Sequence, residues 1–349
     1  MDFMSFFTPA VLAANYMEVA SNRIPYLGEG LFPAEKKAGL DLAWIKGSKG
    51  LPISLMPSAF DAQATYRDRL GVEKVETEMP FFREGFKIKE KDRQELMRAL
   101  DSKDPYAAAI IRRVFDDNAQ LIEGAMVAAE RERMQLLFPV GGDLGISIQA
   151  NGVDYTYNYD PSETWKGSNY FALQGGRLWS DATNANPFDD IETAKNAILE
   201  RTGTTLTTAI MNRYTFNKLV AIKALKDRFM STTGRAIAYL TPGELAKVFE
   251  DTEEVGIAVY DKQFKDESGT ARKFVPNGYV ALIPDGALGN TWYGTTPEEA
   301  DGKNTTLVNT GVSLTVVPID HPVNTNILAS EIMLPSYERA DEVALLKVL

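Results

Sequence analysis

Residues 105–136 read PYAAAIIRRVFDDNAQLIEGAMVAAERERMQL, and the period of this stretch decides what architecture the rest of the chain must serve. Ile110, Ile111, Val114, Phe115, Leu121, Ile122, Ala125, Met126 and Ala129 recur at spacings of three and four. Arg112, Arg113, Asp116, Asp117, Glu123 and Glu130 fill the positions between. That is a helix with an apolar stripe. Pro105 suits its first turn, where the missing N–H is not needed. Carried through to Leu136, the helix is about 48 Å long at 1.5 Å per residue. A rod of that length behaves as a spine.

Toward the N-terminus, Glu90–Leu100 is a second, shorter helical pattern. Ahead of it, Leu40, Leu42 and Trp44 alternate within Leu40–Lys46 as a strand requires, and Phe86 and Ile88 within Glu84–Lys89 offer a partner. The excursion between them is polar and punctuated by Gly47, Gly50, Pro52, Pro57, Gly71 and Pro80, so little of it can bury a core of its own. The economical reading is a long two-stranded loop projecting from the body. Residues 1–39 space Phe3, Phe6, Phe7, Leu12, Tyr16, Tyr26, Leu31 and Phe32 among polar residues, broken by Pro9, Pro25 and Pro33. An extended arm and an ordinary N-terminal helix with a loop in the core both fit that pattern.

Toward the C-terminus, Gly145–Ala150 and Val153–Asp160 flank Asn151 and Gly152, the pair that most cheaply supplies two positive φ angles in a tight hairpin. Asp160–Pro187, rich in Gly, Ser, Asn and Asp, reads as a loop. Beyond it come a helix at Asp190–Arg201, a strand at Leu206–Met211 and an amphipathic helix at Tyr214–Phe229. Thr241, Pro242 and Glu244 form a capping-box start for a helix ending near Phe249. Strands follow at Gly256–Asp261, Arg272–Val275 and Tyr279–Pro284, the first two joined through a turn at Asp266–Gly269. Gly311–Pro318 and Ile327–Leu334 are further strands, and Glu342–Leu349 is an apolar terminus of the kind that docks. Strands and helices do not alternate regularly, so the class is α+β and not a doubly wound sheet.

A chain of 349 residues can bury a large core, and its length suggests two lobes. With 44% apolar and 24% charged residues, the composition is that of an ordinary soluble protein. The formal charge of −11, from 48 acidic and 37 basic residues, disfavours a protein whose task is to coat phosphate. Cysteine is absent, which excludes disulfides, thiolate catalysis and cysteine-bound zinc. No stretch of about 18 apolar residues occurs, so no bilayer-spanning helix is expected, and Phe6–Ala14 lacks the basic flank of a signal peptide.

Motifs for chemistry are missing. The lone histidine, His321, stands beside Pro322 and reads as a loop residue, not a ligand or base. No P-loop, dinucleotide glycine pattern, nucleophile elbow or calcium loop occurs. The neighbours Asp116 and Asp117, Asp189 and Asp190, and Glu298 and Glu299 read as solvated helix faces and caps, since adjacent helical positions do not share a face. No catalytic, cofactor-binding or metal-binding residue is therefore expected. Phe81 and Phe82 beside Arg83 are ordinary core or else anchors against another subunit, where aromatic and arginine side chains dominate binding energy.

The run Leu31–Lys37, followed by Leu40–Lys46, Gly50-Leu51-Pro52 and Pro80–Ile88, resembles the lambda-type major capsid protein family of tailed bacteriophages, as does Pro276–Pro284 with its downstream tail. Each motif is loose; their order along nearly the whole chain carries the likeness. The resemblance implies the tailed-phage and herpesvirus major capsid fold, the Hong Kong 97 type. It makes residues 1–39 an N-terminal arm and 40–89 an extended β-loop. It assigns 90–187 with 325–349 to a peripheral domain holding the spine helix, and 188–324 to an axial domain. It implies hexamers and pentamers of this chain closing an icosahedral shell, with a scaffold protein, a portal and a decoration protein as partners. Double-stranded DNA is enclosed without specific binding, no membrane is involved, and no catalytic residues or cofactors are carried over. The place it implies is the virion capsid, assembled in the host cytoplasm. On this reading the assembly-interface candidates are Phe6, Phe7, Tyr26, Phe32, Trp44, Arg67, Arg69, Phe81, Phe82 and Arg83. A flattened subunit must obtain from its neighbours the burial that its shape denies it. Two other readings stand beside this one: an encapsulin-like shell protein of a cellular nanocompartment, and a carboxylate-dependent hydrolase using the 188–324 lobe.

Overall fold

The computed structural model describes residues 8–20, 26–46, 73–102, 105–150, 153–233, 241–266 and 268–349. Two compact units divide the chain. One is built from Met1–Ala43, Glu76–Arg133 and Gly289–Ser336, the other from Trp44–Val75, Met134–Leu288 and Tyr337–Leu349.

In chain order the first half forms α1 (Pro9–Ala20), α2 (Leu27–Leu31), β1 (Ala34–Lys36), β2 (Asp41–Lys46), β3 (Glu73–Glu78), β4 (Phe81–Ile88), α3 (Glu90–Ser102), α4 (Pro105–Leu137), β5 (Gly145–Ala150), β6 (Val153–Asn158), α5 (Thr164–Asn169) and β7 (Tyr170–Ala172). The second half forms α6 (Pro187–Thr202), β8 (Thr208–Met211), α7 (Arg213–Ala221), α8 (Lys223–Thr233), α9 (Pro242–Glu253), β9 (Gly256–Val259), β10 (Gln263–Lys265), β11 (Ala271–Lys273), β12 (Tyr279–Ile283), β13 (Asn290–Tyr293), α10 (Pro297–Asp301), β14 (Thr305–Leu307), β15 (Ser313–Ile319), β16 (Asn324–Ser336) and β17 (Ala344–Lys347).

The first unit is organised on β16, 13 residues long. β15 and β4 both pair antiparallel with the same stretch of it, around Thr325–Ser330, and so must lie on opposite edges. The end of β16 pairs with β13, and β1 adds to β13 in parallel. The spine helix α4 is 33 residues long and starts at Pro105, as its period predicts. Its buried Val114 and Ile122 meet Phe86, Leu314, Val316 and Ile327 of the sheet. Leu12, Ala13 and Tyr16 of α1 join the same cluster, so this part of the N-terminal segment is packed as core of its own unit.

The second unit carries a sheet in the order β7-β17-β12-β8-β9. Ile191, Ala194 and Ile198 of α6, Phe216 and Leu219 of α7, Leu225 and Phe229 of α8, and Val248 and Phe249 of α9 pack against its Ala209, Met211, Val280, Leu282 and Leu346. The apolar terminus is docked as expected, with β17 between β7 and β12. The capping box at Thr241 is formed, with Thr241 Oγ1 accepting from the Glu244 amide and the Glu244 carboxylate accepting from the Thr241 amide. The β5–β6 hairpin keeps the expected register to its last pair, Ala150 opposite Val153. Asn151 and Gly152 themselves lie outside the described residues.

Four expectations are corrected. β2 pairs with β3 and not with Phe86 and Ile88. Those two residues belong to β4, opposite Ile327 and Thr325 of β16, where their side chains are buried against α4. β3 reads EKVETE and has no apolar alternation to betray it. Tyr214–Phe229 is two helices, because Ile222 turns extended (ψ 135°) and the amide of Lys223 donates to the carbonyl of Ala182. The break lets Leu219, Ile222 and Leu225 all become fully buried. Asp160–Pro187 is not simply loop, since α5 and β7 lie within it. Finally, the turn at Asp266–Gly269 joins β10 to β11, while β9 pairs with β8.

Asn169, at the end of α5, shows how a polar residue fastens the terminus. Its fully buried amide nitrogen donates to the carbonyls of Asp341 (3.0 Å) and Val343 (2.7 Å), and its oxygen accepts from Arg201 (2.8 Å). Asn169→Ala takes a donor from the Val343 carbonyl and an acceptor from Arg201, while the Asp341 carbonyl keeps its bond from Arg201 (2.8 Å). It is expected to lower stability by about 2 kcal/mol, the usual cost of orphaning buried polar groups, read from the shift of the urea midpoint.

Candidate functional site

His321 lies exposed in the turn between β15 and β16. Among the described residues no cluster of three His, Asp or Glu is arranged to hold a metal. Of the acidic neighbours, Glu298 and Glu299 stand in the first turn of α10, where Thr296 Oγ1 accepts from the Glu299 amide. They form ion pairs with Arg83 and Lys36 respectively. Asp190 departs from the expectation of a solvated carboxylate: it is 3% exposed and accepts from Arg177 (2.7 Å) and from the indole of Trp179 (3.0 Å). It braces the start of α6.

The interface candidates separate into four groups. Phe6, Phe7, Arg67 and Arg69 lie outside the described residues. Phe32 is fully buried in its own chain, and Trp44 is 6% exposed, with its ring centroid 5.2 Å from that of Tyr159. Phe81, Phe82 and Arg83 are together on β4, and strand alternation splits them between two faces. Phe82 points toward α4 and packs with Ala129, Tyr293 and Met333. Phe81 and Arg83 share the other face, where the guanidinium lies 4.6 Å from the Phe81 ring centroid and pairs with Glu298. Tyr26 is half-buried and immediately precedes α2.

Two residues on from Tyr26, at Gly28, begins an arrangement that the sequence did not announce. Glu130 of α4 is fully buried, and both its oxygens accept from the amide of Gly28 at 3.1 Å. Arg133, one turn on, is 3.7 Å from Glu130, donates through Nε to Thr291 Oγ1 (2.8 Å) and reaches the Tyr293 hydroxyl (3.4 Å). Thr291 Oγ1 in turn donates to the carbonyl of Phe32 (2.9 Å). The segment from Gly28 to Phe32 is thus tied at both ends to one buried ion pair. Gly28 is required there: a Cβ would fall 2.4 Å from Glu130 Oε2 and 2.7 Å from Arg133 Cδ. A charge-assisted bond from a buried carboxylate to a backbone amide is among the stronger anchors available.

Two further carboxylates share this space. Glu132 is 2% exposed and Glu331 is 1% exposed, and neither meets a hydrogen-bond donor among the described residues. Burial pushes the Glu331 carboxyl up to about 8, against the pull of Arg133. Burial also lifts Glu132 well above the carboxylate range, helped by the charge of Glu331 and opposed by Arg133 and Arg131. A signal for both was present. Continuing Ile122, Met126 and Ala129 by threes and fours lands on Glu132 and Arg133, and Glu331 is the one charge in the apolar run from Ile327 to Leu334.

Residues 9–348 match a family model described as phage major capsid protein E. No curated protein matches. Among solved structures, a prophage protein of E. coli CFT073 assigned as a capsid protein is 14% identical, with a TM-score of 0.60 over 98% of this chain and 99% of the other. A phage-related protein from Bordetella bronchiseptica RB50 is 15% identical, with a TM-score of 0.58 over 97% of both chains. The capsid asymmetric unit of cyanophage A-1(L) is 11% identical, with a TM-score of 0.53 over 93% of this chain and 92% of the other. At these identities the likeness is one of fold, the fold of tailed-phage capsid proteins.

Proposed function

Since the chain belongs to the phage major capsid protein E family, we propose a specific way in which it builds the shell. Its role is structural and its place is the virion capsid. Among the described residues no helix is long and apolar enough to cross a membrane. Copies of the chain associate as hexamers and pentamers around closed symmetry axes. The contacts between copies come from the terminal residues 1–7, the β2–β3 loop with Arg67 and Arg69, and the exposed face of β4 at Phe81 and Arg83. Phe32 and Trp44 serve the subunit's own packing, because their surface is already spent. A scaffold protein and a portal direct closure, and a decoration protein binds the finished surface. The protein has no catalytic activity. Its charge of −11 lets it enclose DNA without adsorbing it.

The observation that carries this reading is the family match across residues 9–348. Neither a cellular nanocompartment shell nor a hydrolase is favoured by it. Negative-stain microscopy of the protein expressed with its genomic neighbours is expected to show closed icosahedral particles. Replacing residues 47–72 by a short Gly-Ser turn is expected to leave a folded subunit that forms none. A monomeric wild-type protein in light scattering sinks the proposal; particles from the shortened chain sink the role given to the loop.

A further inference from the structure

Three carboxyls and one guanidinium occupy the buried space between α4 and β16. They are Glu130, Glu132, Glu331 and Arg133, each 3% exposed or less. If all were ionised, the cluster would hold an excess of two negative charges away from water, where uncompensated charge is most costly. Glu130 has compensation, from Arg133 and from the Gly28 amide. The four oxygens of Glu132 and Glu331 have no hydrogen-bond donor among the described residues. Strand register sets Glu331 opposite Phe82, whose ring packs with Ala129, Tyr293 and Met333, so its immediate surroundings are apolar. Removing two charges leaves these four buried groups neutral; Arg131, half-exposed, keeps its charge in contact with water and stands outside the count.

We propose that Glu132 and Glu331 are held as neutral carboxylic acids at neutral pH and act as an alkali-sensitive latch between α4 and β16, closed while protonated and released when they ionise. The other groups facing the pair do not neutralise it by themselves. From α4 come Glu130, Arg131 and Arg133. From β13 comes Tyr293, whose phenol burial pushes up, so it stays neutral. Glu29 of α2 acts on Tyr293. Glu84 on β4 shares the face of Phe82 but is exposed. The upward direction for both carboxyls agrees with the charge count. An acid that binds its proton more tightly when folded adds stability that is complete below its ordinary value of 4.5 and is lost as pH rises through about 8. Acid therefore tightens this unit and alkali loosens it.

The test is thermal melting of the full-length protein, as assembled particles, between pH 6 and pH 9, beside Glu132→Gln, Glu331→Gln and the double variant. The wild type is expected to lose roughly 5 °C or more in Tm across that range. The double variant should keep less than half that slope and melt above the wild type at pH 9. A wild-type melt independent of pH, or an unchanged slope in the double variant, overturns the latch. Infrared spectroscopy of the wild type does not depend on any variant folding. A protonated carboxylic C=O stretch must be present at pH 7 and fade by pH 9, and its absence at pH 7 equally overturns the proposal.

Discussion

Arg133→Met is expected to destabilise the subunit by about 3–5 kcal/mol, because breaking a buried ion pair from one side leaves the partner's charge uncompensated. Methionine keeps much of the apolar stem. What goes is the cation beside Glu130, together with the donors to Thr291 and Tyr293. Glu130 then remains fully buried, bonded to the Gly28 amide but without the guanidinium beside it. Arg133→Lys should recover only part of the loss, since a point charge on a flexible stem cannot serve three acceptors set around a planar fork. Adding Glu130→Gln to Arg133→Met should restore a large share, because both charges leave together. Urea unfolding of the four proteins measures this. A cost below about 1 kcal/mol for Arg133→Met would show that the ion pair does not anchor the segment from Gly28 to Phe32.

Gly311→Ala carries the other large effect, on the order of 3 kcal/mol, at the upper end of what overpacking a core costs. A Cβ at this position would sit 1.8 Å from Cδ1 of Tyr293, well inside the ring's own volume. The ring is 3% exposed and packed against Ala129 and Met333, so it cannot swing aside without opening the space around Arg133. Truncating the ring makes room. Tyr293→Ala by itself is costly, yet combined with Gly311→Ala it should cost much less than the sum of the two, a coupling of 1 kcal/mol or more in a double-mutant cycle. Strict additivity would mean that the glycine is there for another reason.

The parts of this fold legible in sequence are those whose cause is local. Pro105 opening a 33-residue helix, the antiparallel pairing of β5 with β6, and the reciprocal bonds of Thr241 and Glu244 each depend on residues within a few positions of one another. The strands that escaped reading are short or polar. β1, β7 and β14 are three residues each, too few to show a period, and β3 carries charge at four of its six positions. β1 and β7 are strands because a neighbour far along the chain, β13 or β17, offers its open edge, and β14 and β3 because the adjacent strands β15 and β2 do. The helix break at Ile222 has the same origin, an outside carbonyl taking the amide that a continuing helix would have used.

The candidate site was legible only in outline. The periodicity sets Glu130 among the charged positions of the spine, and charge alone argues for solvent there. Burial reverses the reading, and Glu130, Glu132 and Arg133 turn out to be among the least exposed charged residues of the chain. Phe32 and Phe81 look alike as arm and loop aromatics; one is wholly enclosed and the other lies on the face that carries Arg83.

Taken by itself, the order of residues determined the α+β class, the spine, the hairpin and the likeness to a capsid family, because apolar period and turn chemistry act over two to four positions. Only the tertiary structure decided that β4 belongs to β16, that Gly28 and Phe32 close on one ion pair, and that two buried glutamates meet no donor among the described residues. The reason is desolvation. Whether a polar group is bonded, charged or neutral depends on how much water distant segments remove from around it, and no local pattern records that.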